Sequence, residues 1–219
     1  MKKLALVLAV TVASVFAVNA EPIGIKVGAD VYDNAVLTTS YFSANPYLAY
    51  SNSALGFDLG LKVGYWATLT PAFSSDKVQF DVSGAKSFKI SDDFSLAPSL
   101  TLQNEFITIG TTGYKLNVRP GVAATYAIST TFIQLRSYVP VGLVTETDLL
   151  LYADESVALG SLGLGAYLGY AIVPTADLSW AGVYASYPVG PVGLGLCAEF
   201  SGFKTTLDMA LCLSVSYAF

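Results

Sequence analysis

Histidine is absent from the 219-residue chain, and cysteine occurs only twice. The first absence removes imidazole both as a metal ligand and as a general base near neutral pH. No spacing of Cys or Asp matches a standard metal site, so no metal or other cofactor is expected. Charged residues make up 12% of the chain, the net charge is −5, and no basic cluster occurs. That balance lacks the electrostatic footprint of a nucleic-acid-binding protein. Long hydrophobic runs are missing too. Beyond the amino-terminal segment, no stretch approaches the ~18 apolar residues that a membrane helix requires. Yet the chain is 53% hydrophobic, so its apolar surface must enter a large core or face lipid.

The amino terminus reads Met1-Lys2-Lys3, then an apolar stretch from Leu4 to Val18, then Asn19-Ala20 before Glu21. A basic start, a short apolar core and small residues at the cleavage point form a secretory signal peptide. Residues 1–20 are therefore expected to be removed, leaving 21–219 as one exported domain. No Cys stands at the cleavage point, so lipid attachment there is not expected.

What the mature chain has in abundance is alternation. Phe219, Tyr217, Val215, Leu213, Leu211, Met209 and Leu207 are apolar, and the residues between them are small or polar. The preceding run, Val192 to Phe200, does the same. A period of two marks a strand with one greasy face and one wet or tightly filled face. Thirteen such residues suit a strand tilted across a bilayer. The ending Val215-Ser216-Tyr217-Ala218-Phe219 resembles the closing-strand signal of bacterial outer-membrane β-barrel proteins. The resemblance implies that Val215, Tyr217 and Phe219 are read by the barrel-assembly machinery.

Similar alternation recurs from Ile23 to Tyr32, Phe57 to Tyr65, Val78 to Lys86, Phe94 to Phe106, Tyr114 to Tyr126, Ile133 to Leu143, Leu162 to Ile172, and around Leu178. The expected fold is an all-β, closed, antiparallel up-and-down transmembrane β-barrel of ten strands, with eight or twelve as alternatives. It is similar in kind to small barrels of the OmpA, OmpX and OmpW type. The segment 34–53, with Asn45-Pro46 and Ser51-Asn52-Ser53, reads mainly as a loop, though Tyr41 to Tyr50 could form an extra strand. Ten strands put both termini on the periplasmic side, but they also put the tight turns at Asp92, Ser129 and Thr175 outside, the reverse of the usual pattern.

Turn positions fix expected registers. A turn centred on Asp92 pairs Ile90 with Phe94 and Val82 with Leu102. A turn at Ser129-Thr130 sets Tyr126 opposite Ile133. A turn at 174–176 sets Tyr170 opposite Trp180, both in an interfacial aromatic girdle. In the last hairpin a four-residue loop over 203–206 would oppose Cys197 and Cys212, close enough for a disulfide in an oxidising compartment. A tight turn at Gly202-Phe203 would instead oppose Cys197 and Asp208.

Parity places Lys26, Lys62, Lys115, Arg119 and Arg136 on the inner face, with Asp30, Asp58, Asp81, Glu105, Glu199 and Asp208. In a narrow barrel such charges must pair or be hydrated. The first reading is a filled, salt-bridged interior in a structural or surface-interaction protein. The second is a narrow polar channel with Arg119 and Arg136 facing acidic groups across a constriction. A secreted soluble β-sandwich is the third. Small barrel enzymes of outer membranes resemble one another in using a catalytic His, which this chain lacks, so no enzymatic activity is expected. Asp92-Asp93 reads as turn chemistry. The expected partners are outer-membrane lipid and the assembly machinery, with the barrel a monomer.

Overall fold

A computed structural model describes residues 24–33, 42–54, 56–70, 74–107, 113–139, 148–173, 176–204 and 207–219. The leader expected over residues 1–20 lies outside them. The elements are β1 (Gly24–Asp33), β2 (Phe42–Ala54), β3 (Phe57–Thr70), β4 (Ser74–Ala85), β5 (Phe88–Lys89), β6 (Phe94–Ile107), β7 (Gly113–Tyr126), β8 (Ser129–Val139), β9 (Leu149–Leu159), β10 (Leu162–Val173), β11 (Asp177–Val189), β12 (Val192–Ser201) and β13 (Asp208–Ala218). Consecutive long strands pair antiparallel, and β1 pairs with both β2 and β13, so the sheet closes on itself. A single closed sheet replaces the two packed layers of the sandwich reading.

The wall has twelve long strands rather than ten. The two extra ones are β2, read from the sequence mainly as a loop, and β9, which the alternation did not reveal. β5 adds no width: it continues β4 in the same register along β6, since Gly84 opposes Leu100 and Phe88 opposes Leu96. The register therefore runs past Gly84 without a bulge. Instead, Lys86 N–H donates to Pro98 O at 3.1 Å, and Pro98 has no N–H to return. Pro46 and Pro120 mark similar gaps, where the β2–β3 and β7–β8 ladders each skip two register pairs while the ladder on the other side continues. Lys86 does stay on the outer face, with its Nζ 4.9 Å from the Phe57 ring centroid and 5.5 Å from that of Phe88.

Twelve strands move two of the three tight turns, those near Asp92 and Ser129, to the end that holds the termini, while the short connection from Val173 to Asp177 stays at the other end. The connections at 55–56, 90–93, 127–128, 160–161 and 190–191 are tight and lie at the end that holds both termini. The longer intervals between described strands, such as Asp33 to Phe42 and Val139 to Leu149, fall at the opposite end. Short turns on the periplasmic side and longer loops outside are the usual arrangement for outer-membrane barrels.

The registers follow the sequence in part. Ile90 N–H bonds Phe94 O, and Val82 opposes Leu102, as expected. The next turn is Ala127-Ile128 rather than Ser129-Thr130, so Tyr126 opposes Ser129 and Ile133 opposes Val122. Ala127 takes a positive φ of 51°, while Thr130 joins the strand and meets Thr125 at 3.1 Å between hydroxyls. A β-branched residue suits a strand better than a turn, which reverses the sequence reading. A bulge between Gly169 and Tyr170 opposes Trp180 to Gly169 and Leu178 to Tyr170. Trp180 thus faces inward and leaves the outer girdle.

Burial is inverted relative to a soluble protein. Among the described residues Ala67 is the one buried hydrophobic, whereas Ser43, Asn45, Gln103, Glu105, Asn117, Gln134 and Ser216 are buried polar residues. Leu48, Val82, Leu102, Ile133, Leu168, Val183, Leu196, Leu213 and many like them are exposed on the outer face. No hydrocarbon-facing backbone group can bond to solvent, and closure satisfies the wall internally. Asn104, the polar interruption on the outer face of β6, accepts from the Tyr114 hydroxyl and donates to Phe80 O at 3.2 Å.

The orientation is testable in a Cys197→Ala/Cys212→Ala background. Lys204→Cys, at the loop end, should react with an impermeant maleimide on intact cells. Ser161→Cys, at the turn end, should react only after lysis. The opposite pattern would invert the assignment.

Candidate functional site: the barrel interior

The period-two pattern of every strand delivers one face to the interior, and the strand order fixes which groups meet. Lys26 and Asp30 lie on β1, Lys62 on β3, Asp81 on β4, Glu105 on β6, Lys115 and Arg119 on β7, Arg136 on β8, Glu199 on β12 and Asp208 on β13. All take the inward parity. Asp58 shares that parity but sits exposed at the turn end of β3, where it accepts from Ser53 Oγ. Asp208 stands at the loop end of β13, and its carboxylate accepts from the N–H of Met209 at 2.9 Å.

Two clusters form around these groups. In the first, Lys62 opposes Asp81 across β3 and β4 and places its Nζ 4.2 Å from the Tyr47 ring centroid. Asp81 accepts from Gln79 at 2.8 Å. Lys77, one further inward residue along β4, pairs with Glu105 at 2.7 Å. Lys115 is the register partner of Glu105 on the other side, and Arg119 donates to Gln103. Asn117 is fully buried between these strands, and neither atom of its amide has a protein partner.

The second cluster is aromatic. Phe132, Tyr152, Tyr167 and Tyr184 occupy successive strands β8 to β11, with ring centroids 6.2, 6.1 and 6.2 Å apart. Tyr152 and Tyr184 both donate to Asp154 at 2.9 Å, and Tyr167 donates to Glu199 at 2.9 Å. The guanidinium carbon of Arg136 lies 4.0 Å from the Tyr152 centroid and 5.9 Å from that of Trp180, a cation–π arrangement. A cavity of about 250 Å³ opens here, lined by Tyr152, Asp154, Tyr167, Tyr184, Cys197 and Cys212 among others.

Glycines give these rings their place. A Cβ on Gly165 would fall 2.2 Å from the Tyr184 ring, on Gly182 2.5 Å from that of Tyr167, on Gly169 2.5 Å from Trp180 and on Gly28 2.5 Å from Tyr47. Each of these four glycines is the register partner of the ring that covers it. The rings therefore rest on the neighbouring strand instead of standing out into the bore, in the manner of aromatic rescue of a strand glycine.

Arg119 and Arg136 do not oppose each other across the barrel. The pairs Val118–Ser137 and Gly121–Gln134 put them side by side on β7 and β8. The strand order places β13 and β1, with Asp208 and Asp30, on the opposite wall. Cys197 and Cys212 are register partners, as the four-residue loop required, with Phe200 opposite Met209. Both are free thiols, so the alignment for a disulfide is present and the bond is not. Val215 and Tyr217 face outward on the strand that closes the barrel, and the Tyr217 and Phe219 rings stack edge-on at 4.8 Å. Asp92 lies in the exposed turn and pairs with Lys89 at 2.7 Å, as turn chemistry rather than a carboxylate site.

Sequence reasoning missed Lys77, Asp154 and the tyrosine row. Lys77 shares the parity of Asp81 and could have been found by running β4 two pairs further back. Asp154 and Tyr152 lay on the unrecognised strand β9.

No protein-family model matches the chain, and no curated protein matches it by sequence. Solved structures do match in fold. A KdgM porin in complex with disordered oligogalacturonate is 16% identical, with 90% of this chain and 99% of that one covered at a TM-score of 0.59. A NanC porin is 10% identical, with 88% and 98% covered at 0.57. The outer-membrane phospholipase A from Escherichia coli is 10% identical, with 92% and 98% covered at 0.57.

The Lys77–Glu105 pair yields a stability test, since the Glu105 side chain is only 8% exposed. Lys77→Met should destabilise the folded barrel by about 1–3 kcal/mol in urea titrations, because it removes the 2.7 Å partner of a mostly buried carboxylate and leaves Lys115 as its neighbouring cation. Lys77→Met/Glu105→Gln should recover most of that loss. With the apolar outer face and polar interior in place, the comparisons close the assignment: this chain has the fold of the bacterial outer-membrane β-barrels.

Proposed function

We propose that this protein is a monomeric outer-membrane channel for small polar solutes. The observation that carries the reading is the seating of the large inward rings on glycines, which keeps bulky side chains at the wall. Width supports it. Strands about 4.8 Å apart and tilted about 40° give a backbone cylinder about 24 Å across for twelve strands, against about 16 Å for eight. Side chains reaching about 6 Å from each wall then leave a bore of about 12 Å, where a smaller barrel would be filled. The inward charges are of both signs and hydrogen-bonded along the wall, which suits a wet passage better than a dry core. Two of the similar folds are named as porins, which favours the same role.

The filled-scaffold reading drew its force from a ten-stranded wall and loses it at twelve. A catalytic role finds no support in a chain without histidine. The outward Val215, Tyr217 and Phe219 on the closing strand suit recognition by the assembly machinery.

Purified protein that migrates as a compact, heat-modifiable band should give discrete conductance steps in planar bilayers. Arg119→Gln/Arg136→Gln removes two positive wall charges and should raise the permeability of K⁺ relative to Cl⁻, read as a shift in reversal potential under a KCl gradient. Folded protein that never conducts would overturn the proposal and restore the filled scaffold.

A further inference from the structure

The inner cations are unevenly placed. Lys62, Lys77, Lys115, Arg119 and Arg136 belong to β3, β4, β7 and β8, and Lys26 stands at the turn end of β1. Strands β9 to β13 contain no lysine or arginine at all, yet they carry Asp154, Glu199 and Asp208 inward. One half of the wall is therefore acidic with no cation of its own, and the tyrosine-lined cavity lies in that half.

We infer that this cavity binds small organic cations, of the guanidinium or ammonium class, and this rests on the channel reading because a solute must reach it through the bore. Hydrogen-bond polarity is the first argument. A phenol has one proton to donate. Tyr152 and Tyr184 commit theirs to Asp154, and Tyr167 commits its own to Glu199. Asp154 and the three phenols line the cavity, with Glu199 beside it as the acceptor of Tyr167, and what these lining groups present is lone pairs. Ser186 and the thiols can turn to suit either partner. Such a surface calls for a ligand that brings donors and positive charge.

Ring geometry is the second argument. Three tyrosine faces line the cavity, and aromatic faces attract cations. The chain supplies its own precedent, because the Arg136 guanidinium reaches in from β8 and lies over Tyr152 at 4.0 Å. The volume of about 250 Å³ accommodates one such head group. An acidic solute would meet Asp154 here with Glu199 close by, while Arg136, the cation reaching in from β8, is already engaged with Gln134 and the Tyr152 face, so this wall disfavours anions.

The test uses the folded protein in planar bilayers with methylguanidinium chloride as probe and methanesulfonate as the anionic control. Methylguanidinium should reduce the current in a saturable manner, and methanesulfonate should not. Asp154→Asn and Glu199→Gln should each raise the half-blocking concentration at least about tenfold, the cost of losing one charged contact. Ser186→Lys, at an exposed position that holds none of the tyrosine bonds, should abolish block by placing a tethered ammonium in the cavity. It also carries the test if Asp154→Asn loses the heat-modifiable band. Block that is unchanged in these variants, or equal block by methanesulfonate, would overturn the inference while leaving the channel intact. If the protein does not conduct, the channel reading falls, and calorimetric titration of the detergent-solubilised barrel decides this one. Saturable binding lost in Ser186→Lys would support it, and no binding would overturn it.

Discussion

Closure of the backbone hydrogen bonds governs everything else in this molecule. A sheet edge facing hydrocarbon would leave a row of N–H and C=O groups without partners, each costing several kcal/mol. The pairing of β1 with β13 removes both edges. Once the sheet is closed, side chains can only point to lipid or to the interior, and the period of two sorts them. The inverted burial, with leucines outside and buried Gln103, Asn117 and Gln134 inside, is the direct result. Prolines are tolerated within this scheme because each interrupts one ladder only, as Pro98 does beside Lys86.

Circumference is the second determinant, and small residues exploit it. In the channel reading, twelve strands enclose more interior than their side chains must fill. Gly28, Gly165, Gly169 and Gly182 then let Tyr47, Tyr184, Trp180 and Tyr167 fold against the wall. The same seating brings phenol hydroxyls to Asp154 and Glu199, so the glycines shape both the bore and the acidic cavity. The basic groups gather on the other strands, where Gln103, Gln134 and Glu105 hold Arg119, Arg136 and Lys77. Shape and charge are thus set by the same alternation.

Most of the fold was legible because parity survives errors of register. The turn at Ala127-Ile128 lies two residues from the position read in the sequence, yet an even displacement keeps Val122 and Ile133 outside. Each inward residue named from the sequence also takes the inward parity in the structure, although Asp58 and Asp208 sit at its two ends. In the last hairpin the sequence left two registers open, and the structure takes the one with Cys197 opposite Cys212. Strand number was not legible. In β2, Asn45-Pro46 and Ser51-Asn52-Ser53 imitate a loop, because Pro46 is tolerated there only through a missing ladder bond. In β9, Leu149 to Leu151 and Asp154-Glu155 place like residues on both faces, and the period disappears. Trp180 was misplaced because a bulge at Gly169 changes the pairing locally, and no turn signal reports a bulge. The acidic cavity was missed for the same reason as β9, since Asp154 belongs to it.

The most direct test of an interior kept open by rings seated on glycines is osmotic swelling of liposomes that contain the folded protein. Glucose should enter and swell them, while a large polyethylene glycol should not. Gly165→Val, which pushes the Tyr184 ring off its seat and into the bore, should slow glucose entry without loss of the heat-modifiable band. Liposomes that never swell, with the barrel demonstrably folded, would contradict the account.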